Sequence, residues 1–197
     1  MATKEDILEQ IVEEYLVHRG YFVQHNLKFL PRKDHVDFNL RQDSNHSDID
    51  VLGYHPLLEG PTKVLAVSCK SWQSGFNPRS EINAIEKGAK RSGREAWRTY
   101  RELTSPKWSE GFRRAVLSAT GTEQFTHVTA VAKLIGERSV WENYMPFQSN
   151  IGNPLRIITF SEMITEIQSK LTRTLASTEV GRMLQMFMAA NMKVKDE

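Results

Sequence analysis

The residues of this chain that could do chemistry lie in two short apolar runs, Ser47–Tyr54 and Lys63–Trp72. Both runs are rich in β-branched residues and are bounded by turn formers, which is typical of strands buried in a sheet. Side chains alternate between the two faces of a strand, so Ser68 and Lys70 share one face. If the runs are neighbouring strands, the carboxylate of Asp50 and the ammonium of Lys70 meet at the end of the sheet.

This pairing suits phosphodiester hydrolysis, in which a metal neutralises the phosphate and lowers the pKa of a bound water. Mg²⁺ usually takes one or two carboxylates together with waters and substrate oxygens. Asp50 would be its main ligand and the backbone carbonyl of Cys69 another, while Lys70 would orient the attacking water or stabilise the developing negative charge. The Cys69 side chain faces away, into the core. From these residues alone, a structural ion pair between Asp50 and Lys70 is the favoured interpretation.

The elements that must position these residues follow from hydrophobic periodicity and turn signals. A first helix over residues 4–19 ends at Gly20, and a long helix begins at Ser80 and runs to about Leu103. The last forty residues are helical in two pieces broken near Ala176. Besides the two runs above, strands are predicted over residues 21–30, 36–40, 125–135 and 155–160. This order predicts an α/β fold with a mixed sheet covered by helices.

The predicted long helix carries a basic stripe. Between Arg79 and Arg114 there are ten Lys and Arg against five Glu, although the whole chain has a net charge of only +2. Stripe residues proposed to bind nucleic acid are Lys87, Lys90, Arg91, Arg94 and Arg98, with Arg101 beside them. Trp72 near the site could stack on bases. A solvated helix face and an aromatic that covers the core are the alternative interpretations.

Composition narrows the class of protein. A chain of 197 residues fits one domain with an appended helical piece. Its single cysteine, Cys69, excludes a disulfide framework and a cysteine-rich zinc site, and the six scattered histidines lack metal-ligand spacing. Because no run approaches the roughly 20 apolar residues of a membrane span, a cytoplasmic protein without membrane contact is expected.

An acid on the first helix, an aspartate on one strand and a lysine at the end of the next together resemble the PD-(D/E)xK nuclease superfamily. The resemblance covers roughly residues 5 to 135. Within it, the segment Glu9–Tyr21 is similar to the opening of resolvase-like members, and its spacing to Gly20 selects Glu9 over the acids that follow. Asp50 matches the metal-binding aspartate of the family and Lys70 its catalytic lysine, with Asp48 in a supporting position.

Ser68 departs from the motif, because it stands where the family has an acid. Some restriction enzymes of the superfamily carry Ser-x-Lys and place the glutamate on the following helix. Glu81 and Glu86 are the two candidates in this chain. On the helical projection, Glu86 lies on the sheet-facing side and Glu81 at the margin, so Glu86 is the predicted metal ligand.

The resemblance implies a metal-dependent DNA endonuclease with the restriction-endonuclease-like fold over residues 1–160 and a C-terminal helical extension over residues 161–197. Mg²⁺ or Mn²⁺ would be held by Asp50, Glu9 and Glu86. Cutting two strands favours a homodimer, for which the methionine-rich last helix is the available surface. The competing prediction is a DNA-binding or assembly module that kept the fold and lost catalysis at Ser68. A regulatory protein whose C-terminus docks a partner is a weaker third interpretation.

Overall fold

The computed structural model of the chain describes residues 6–91, 93–176 and 178–190. The strands are β1 (Phe22–Phe29), β2 (Ser47–Tyr54), β3 (Val64–Lys70), β4 (Lys90–Arg91), β5 (Arg94–Glu95), β6 (Thr126–Val131) and β7 (Leu155–Thr159). The helices are α1 (Ile7–His18), α2 (Leu40–Asp43), α3 (Pro78–Glu86), α4 (Arg101–Thr104), α5 (Pro106–Thr120), α6 (Ser139–Glu142), α7 (Met145–Ile151), α8 (Phe160–Lys170) and α9 (Glu179–Ala189). Two short 3-10 helices span Gly60–Lys63 and Ala96–Tyr100.

Five strands form one mixed sheet in the order β1–β2–β3–β6–β7. Strand β2 is antiparallel to both β1 and β3, whereas β6 is parallel to β3 and β7 is parallel to β6. The antiparallel half follows directly from two hairpin-like connections, and each parallel step needs a helical crossover. The mixed sheet flanked by helices that the sequence predicts is therefore present.

Two hydrophobic cores cover the two faces of the sheet. On one face, α1, α8 and α9 pack over Val51, Val67 and Val128. On the other, α3 to α7 pack over Leu52, Ala66 and neighbouring strand residues. Among the aromatic side chains of this second core, Trp108 and Trp141 are almost fully buried. Burial on both faces makes the central strands largely apolar, although β6 also buries Thr126, His127 and Thr129.

The sheet opens at the position of Asp50. The ladder between β2 and β3 ends at the pair Val51 and Val67, although β2 continues to pair with β1 as far as Ser47. Opposite Asp50 in β1, Asn26 has a φ of +52° and interrupts the ladder. Because β2 is antiparallel to β3, its first residues lie beside the last residues of β3, so a gap forms in front of Lys70.

The prediction of one helix from Ser80 to Leu103 is wrong. The helix ends at Glu86, and the chain continues through the β4–β5 hairpin and the 3-10 helix before α4. Gly88 has a φ of +59°, and the N–H of Ala89 bonds the carbonyl of Ala84 across it. Left-handed glycine at this position is a common helix terminator. Helix α5, which follows, was not predicted.

The short strand predicted over residues 36–40 is also wrong. Turns occupy this stretch, and α2 begins at Leu40. Val36 is 93% exposed, so its β-branched side chain has no sheet to pack against. The loop is instead held by Lys107, whose ammonium reaches the carbonyl of Asp37 at 2.8 Å and the carboxylate of Asp43 at 2.7 Å.

The C-terminal helices pack on the main sheet and on α1. Met163, Ile164 and Leu184 belong to the same core as α1. Thr178 caps α9 and donates to the buried carboxylate of Glu14 at 2.5 Å. The predicted helical break near Ala176 is present, whereas residues 191–197 of the predicted last helical piece lie outside the described residues.

Candidate active site

Asp50 lies on β2 and Ser68 on β3. The two residues would be directly paired if the ladder between these strands continued beyond Val51 and Val67. The gap instead lets the Asp50 carboxylate turn between the strands, where it accepts the backbone N–H of Cys69 at 2.6 Å. Asp50 is therefore anchored to the strand that carries Lys70, one residue before that lysine. The donor is a backbone N–H, so the carboxylate is oriented without a second side chain.

Burial raises the pKa of Asp50 above its ordinary value. The charge of Lys70 and the Cys69 N–H oppose this shift, and the charges of Glu102 and Asp48 add to it. Desolvation disfavours the ionised form of a carboxyl group. A cation placed at Asp50 would relieve this cost.

Lys70 is held on two sides. Its ammonium donates to the hydroxyl of Ser68 at 2.8 Å and lies 5.6 Å from the centroid of the Tyr100 ring. The aromatic face provides a favourable surface for a cation without pairing it in a salt bridge. The residue that replaces the acid of the family motif thus becomes a neutral partner for the lysine.

Glu81 and Glu86 occupy positions opposite to those predicted. Glu86 is exposed and accepts the hydroxyl of Tyr144 at 2.7 Å, so the prediction that it faces the sheet is wrong. Glu81 is 4% exposed and accepts the hydroxyl of Tyr100 at 3.2 Å. The predicted sheet-facing side includes residues beyond Glu86, where α3 ends, whereas the buried residues of α3 are Pro78, Glu81 and Ile82.

Glu81 is also bound by Arg91, which donates from its guanidinium to the other carboxylate oxygen. Tyr100 therefore contacts two parts of the site. The Lys70 ammonium lies over its ring, and its hydroxyl donates to Glu81. Burial raises the pKa of Tyr100 well above its ordinary range, and the neighbouring Glu81 charge adds to the shift. The phenol stays protonated and donates to the carboxylate.

Sequence reasoning missed Glu102 and His127, which form a buried pair behind the site. The imidazole Nε2 lies 3.5 Å from a carboxylate oxygen of Glu102, and both side chains are nearly inaccessible to solvent. Burial disfavours the charged carboxylate, but the interaction with His127 and the charge of Lys70 hold the pKa of Glu102 below its usual value. No sequence signal pairs two residues this far apart in the chain, one on a helix and one on a strand.

Glu9 lies on α1, which covers the opposite face of the sheet from Tyr100. Burial raises the pKa of the Cys69 thiol, and the negative charges of Asp50 and Glu9 add to this rise. The charge of Glu9 therefore acts on the end of β3. The Cys69 side chain packs against the α1 core, as predicted from strand alternation. The structure thus places Glu9 near β3 but on the other side from Ser68.

A magnesium ion held at this place would have few protein ligands. Within the described ranges, no group of three or more His, Cys, Asp and Glu side chains is arranged to hold a metal. Mg²⁺ commonly keeps several waters and uses one or two carboxylates with substrate phosphates. Asp50 is the residue suited to this role, and Glu81 is already committed to Arg91 and Tyr100.

The predicted basic residues do not share one helix stripe. Lys87 caps α3, Lys90, Arg91 and Arg94 lie on the hairpin, and Arg98 lies on the 3-10 helix. Arg98 bonds Glu95 at 3.0 Å. A polar cleft of about 690 Å³ is nevertheless lined by Asn45, His46, Lys90, Arg94, Arg98 and Arg101, among others.

Two residues that line this cleft adjoin the elements of the candidate site in the sequence. His46 directly precedes β2, and Arg101 lies between Tyr100 and Glu102 in the chain. Trp72 lies on the core side of the site, 6.1 Å from the ring of Phe76 and 6.5 Å from that of Tyr100. The side chain of Trp72 is half-buried, so part of its ring surface remains accessible.

Comparisons of the chain with protein-family models, with curated proteins and with solved structures find no match. Within the part of the chain that the structure describes, no helix has the length and apolar character of a membrane span. The chemistry of the site itself therefore carries the functional argument that follows.

Proposed function

We propose that this chain is a metal-dependent DNA endonuclease with the restriction-endonuclease-like fold. One observation carries the proposal: the carboxylate of Asp50 turns into the gap between β2 and β3 and is anchored to the backbone directly before Lys70. A purely structural ion pair would need direct contact between carboxylate and ammonium. Lys70 instead bonds Ser68 and lies over Tyr100, which leaves its charge available to a substrate.

The topology supports the fold assignment. Helix α1 is followed by three antiparallel strands, a helical segment and the parallel strand β6. In this arrangement the proposed acid of the first helix, the aspartate and the lysine all approach one end of β3. The same order of acid, aspartate and lysine carried the sequence resemblance to the nuclease superfamily.

In this mechanism Asp50 would be the main ligand of Mg²⁺ or Mn²⁺, with the carbonyl of Cys69 in support, and Glu9 would approach the metal from the α1 face of the sheet. The bound metal would neutralise the scissile phosphate and make water a stronger acid. Lys70 would hold the attacking water or stabilise the negative charge that develops on the phosphate. Ser68 orients the ammonium of Lys70 through its hydroxyl.

The DNA backbone would lie in the basic cleft. Lys90, Arg94 and Arg98 line it, and the exposed Lys87 and Arg91 flank the same hairpin. Such contacts with phosphates supply affinity without base recognition and make binding strongly dependent on salt. The half-buried ring of Trp72 would be the aromatic surface for stacking on a base.

A homodimer would bring two active sites to the two strands of a DNA duplex. We propose that α9 forms the contact between the two subunits. On this helix Met183, Met186 and Phe187 are exposed at three- and four-residue spacing. An apolar stripe of this kind commonly packs against another helix. Light scattering of the wild type and of Met186→Glu would test the assembly, and a monomeric wild type would exclude it.

A second candidate function is a DNA-binding module without catalysis. It is favoured by Ser68, which offers Lys70 a hydroxyl in place of a carboxylate, and by the occupation of Glu81 by Arg91. Such a protein would retain the basic cleft and bind DNA without cutting it.

The decisive experiment incubates the full chain with plasmid, branched-junction and single-stranded DNA in Mg²⁺ or Mn²⁺. Metal-dependent cutting that is lost in Lys70→Ala and kept in Lys33→Ala would support the endonuclease, because Lys33 is an exposed lysine outside the site. DNA binding without cutting by the wild type, together with no metal affinity in calorimetry, would support the binding module.

A further inference from the structure

The carboxylate of Glu81 is bound by a residue that belongs to the nucleic-acid side of the molecule. Arg91 donates to Oε1 of Glu81 and lies 3.3 Å from the hydroxyl of Ser80, whereas Tyr100 donates to Oε2. Arg91 is on the β4–β5 hairpin, next to Lys90, which lines the basic cleft. One guanidinium therefore connects the cleft to a buried acid of the candidate site.

The hairpin brings a second guanidinium to the same place. Arg91 is directly paired with Arg94 across the two strands, and Arg94 lines the cleft. Like charges directly opposite each other in a ladder are destabilising. A phosphate bound between them would remove this repulsion and would be held by two guanidinium groups.

We propose that Arg91 is a latch: it holds Glu81 in the absence of nucleic acid, and a backbone phosphate beside Arg94 draws it away. Glu81 is then free to become the second carboxylate ligand of the metal. This inference rests on the proposed function, since it assumes that the metal and the nucleic acid meet at this site. It assigns to Glu81 the role for which the sequence favoured Glu86.

The exposure of the two partners decides which one moves. The Glu81 side chain is 5% exposed and that of Arg91 is 46% exposed, so the arginine is the partner that can turn toward solvent. A buried carboxylate left without a cation is costly, so Arg91 leaves only when another cation replaces it. Arg91 and the metal therefore compete for Glu81, while phosphate and metal assist each other's binding.

Glu81 is connected to the rest of the site through Tyr100. The phenol hydroxyl lies 3.2 Å from Glu81, and the ring lies 5.6 Å from the Lys70 ammonium. A change in the partner of Glu81 is thus transmitted to the residue that supports the lysine. The latch would keep the site incomplete until a nucleic-acid strand is in the cleft.

The test is the Mn²⁺ affinity of the full chain without DNA, measured by calorimetry. Arg91→Gln should bind Mn²⁺ roughly tenfold more tightly than the wild type, within the usual range of coupling between sites. Arg79→Gln removes the same charge from an exposed position two residues before Glu81 and should leave the affinity unchanged. In the double variant with Glu81→Gln and Arg91→Gln, the gain should disappear.

A structural role for the ion pair predicts a different pattern. Unchanged or weaker Mn²⁺ binding by Arg91→Gln, or an equal gain in Arg79→Gln, would overturn the latch. If Arg91→Gln fails to give a cooperative thermal transition, Arg91→Met, which keeps the aliphatic stem and removes the charge, takes its place, and the same outcomes apply to it.

The cleavage assay keeps this inference separate from the proposed function. DNA cutting by the wild type with no tightening in Arg91→Gln would reject the latch and leave the endonuclease standing. Tighter metal binding in Arg91→Gln with no cutting by any variant would support the latch and reject the endonuclease.

Discussion

The backbone N–H of Cys69 donates to the carboxylate of Asp50 across the gap between β2 and β3, at 2.6 Å. The bond places an acid from one strand directly beside the lysine of the next, although no ladder pair joins these positions. Strand divergence is therefore what creates the candidate site, since a continuous ladder would have closed the space that a phosphate needs.

Replacing Asp50 by Asn should stabilise the protein and abolish metal-dependent cleavage. Burial raises the pKa of Asp50, so the stability contributed by its protonated form is present below the ordinary carboxyl pKa and is lost as pH rises through the folded-state pKa. At neutral pH the ionised carboxylate thus opposes folding, whereas the amide of Asn still accepts the Cys69 N–H. Each kcal/mol gained would raise Tm by about 2–4 °C in calorimetry.

Measuring the Tm of the Asp50→Asn variant and of the wild type at about pH 3 serves as the control, because the carboxyl group of Asp50 is protonated and uncharged at this pH. The difference in Tm between Asp50→Asn and the wild type should shrink at this pH. A variant that is less stable than the wild type at pH 7 would contradict this account of the buried carboxylate.

Lys70→Ala should lower the rate of cleavage by about 10²–10³-fold, the usual loss when one group that stabilises transition-state charge is removed. The expected fall is in the single-turnover rate at saturating DNA, with DNA affinity changed much less. Lys33→Ala is the matched control because Lys33 is exposed and distant in sequence from both strands of the site. An equal rate in Lys70→Ala would remove the lysine from the mechanism.

Glu81→Gln and Glu86→Gln should differ sharply. Glu81 is buried and bonded to Arg91 and Tyr100, so its neutralisation should lower the free energy of unfolding by about 1–2 kcal/mol and impair cleavage. Glu86 is exposed and bonds Tyr144 alone among its described contacts, so its variant should remain within about 0.5 kcal/mol of the wild type. Urea unfolding and cleavage rates on both variants provide the measurement. Normal cleavage by Glu81→Gln would show that Glu81 takes no part in the reaction.

Alanine at Arg94 or Arg98 should weaken DNA binding at low salt. Removing one side chain that binds a phosphate should reduce the slope of log affinity against log salt by about 0.9. Fluorescence anisotropy with a duplex at several salt concentrations measures this slope. Arg173 is exposed on the connection before α9 and away from the cleft, so Arg173→Ala should keep the wild-type slope. The basic cleft would not be the binding surface if Arg173→Ala and Arg94→Ala were equivalent.

Gly111→Ala should be among the most destabilising single changes in α5. A Cβ at Gly111 would lie 1.9 Å from the carbonyl oxygen of Leu30, so the helix would have to move away from the end of β1. Overpacking of this kind costs about 1–3 kcal/mol or more. Ser118→Ala is the control, because Ser118 is exposed on the same helix. Thermal unfolding that is unchanged in Gly111→Ala would contradict the close approach of helix and strand.

The C-terminal region illustrates what hydrophobic pattern reveals and what it leaves open. The apolar spacing in α8 and α9 predicts helices, and both are present. The start of α9 is joined to α1 at Glu14, which is buried in α1 and accepts hydrogen bonds from His18 and Thr178. A sequence pattern gives no reason to bury that glutamate, because its partner is 164 residues away.

The sequence by itself determined the strands that carry Asp50 and Lys70, the end of α1 at Gly20 and the inward direction of Cys69, because each follows from local periodicity and glycine geometry. Only the tertiary structure decided that Glu81 is buried while Glu86 is exposed, and that the basic residues surround a cleft. These outcomes depend on where α3 ends and on contacts between distant segments. A helical projection assumes a continuous helix, so its error grew once Gly88 turned the chain.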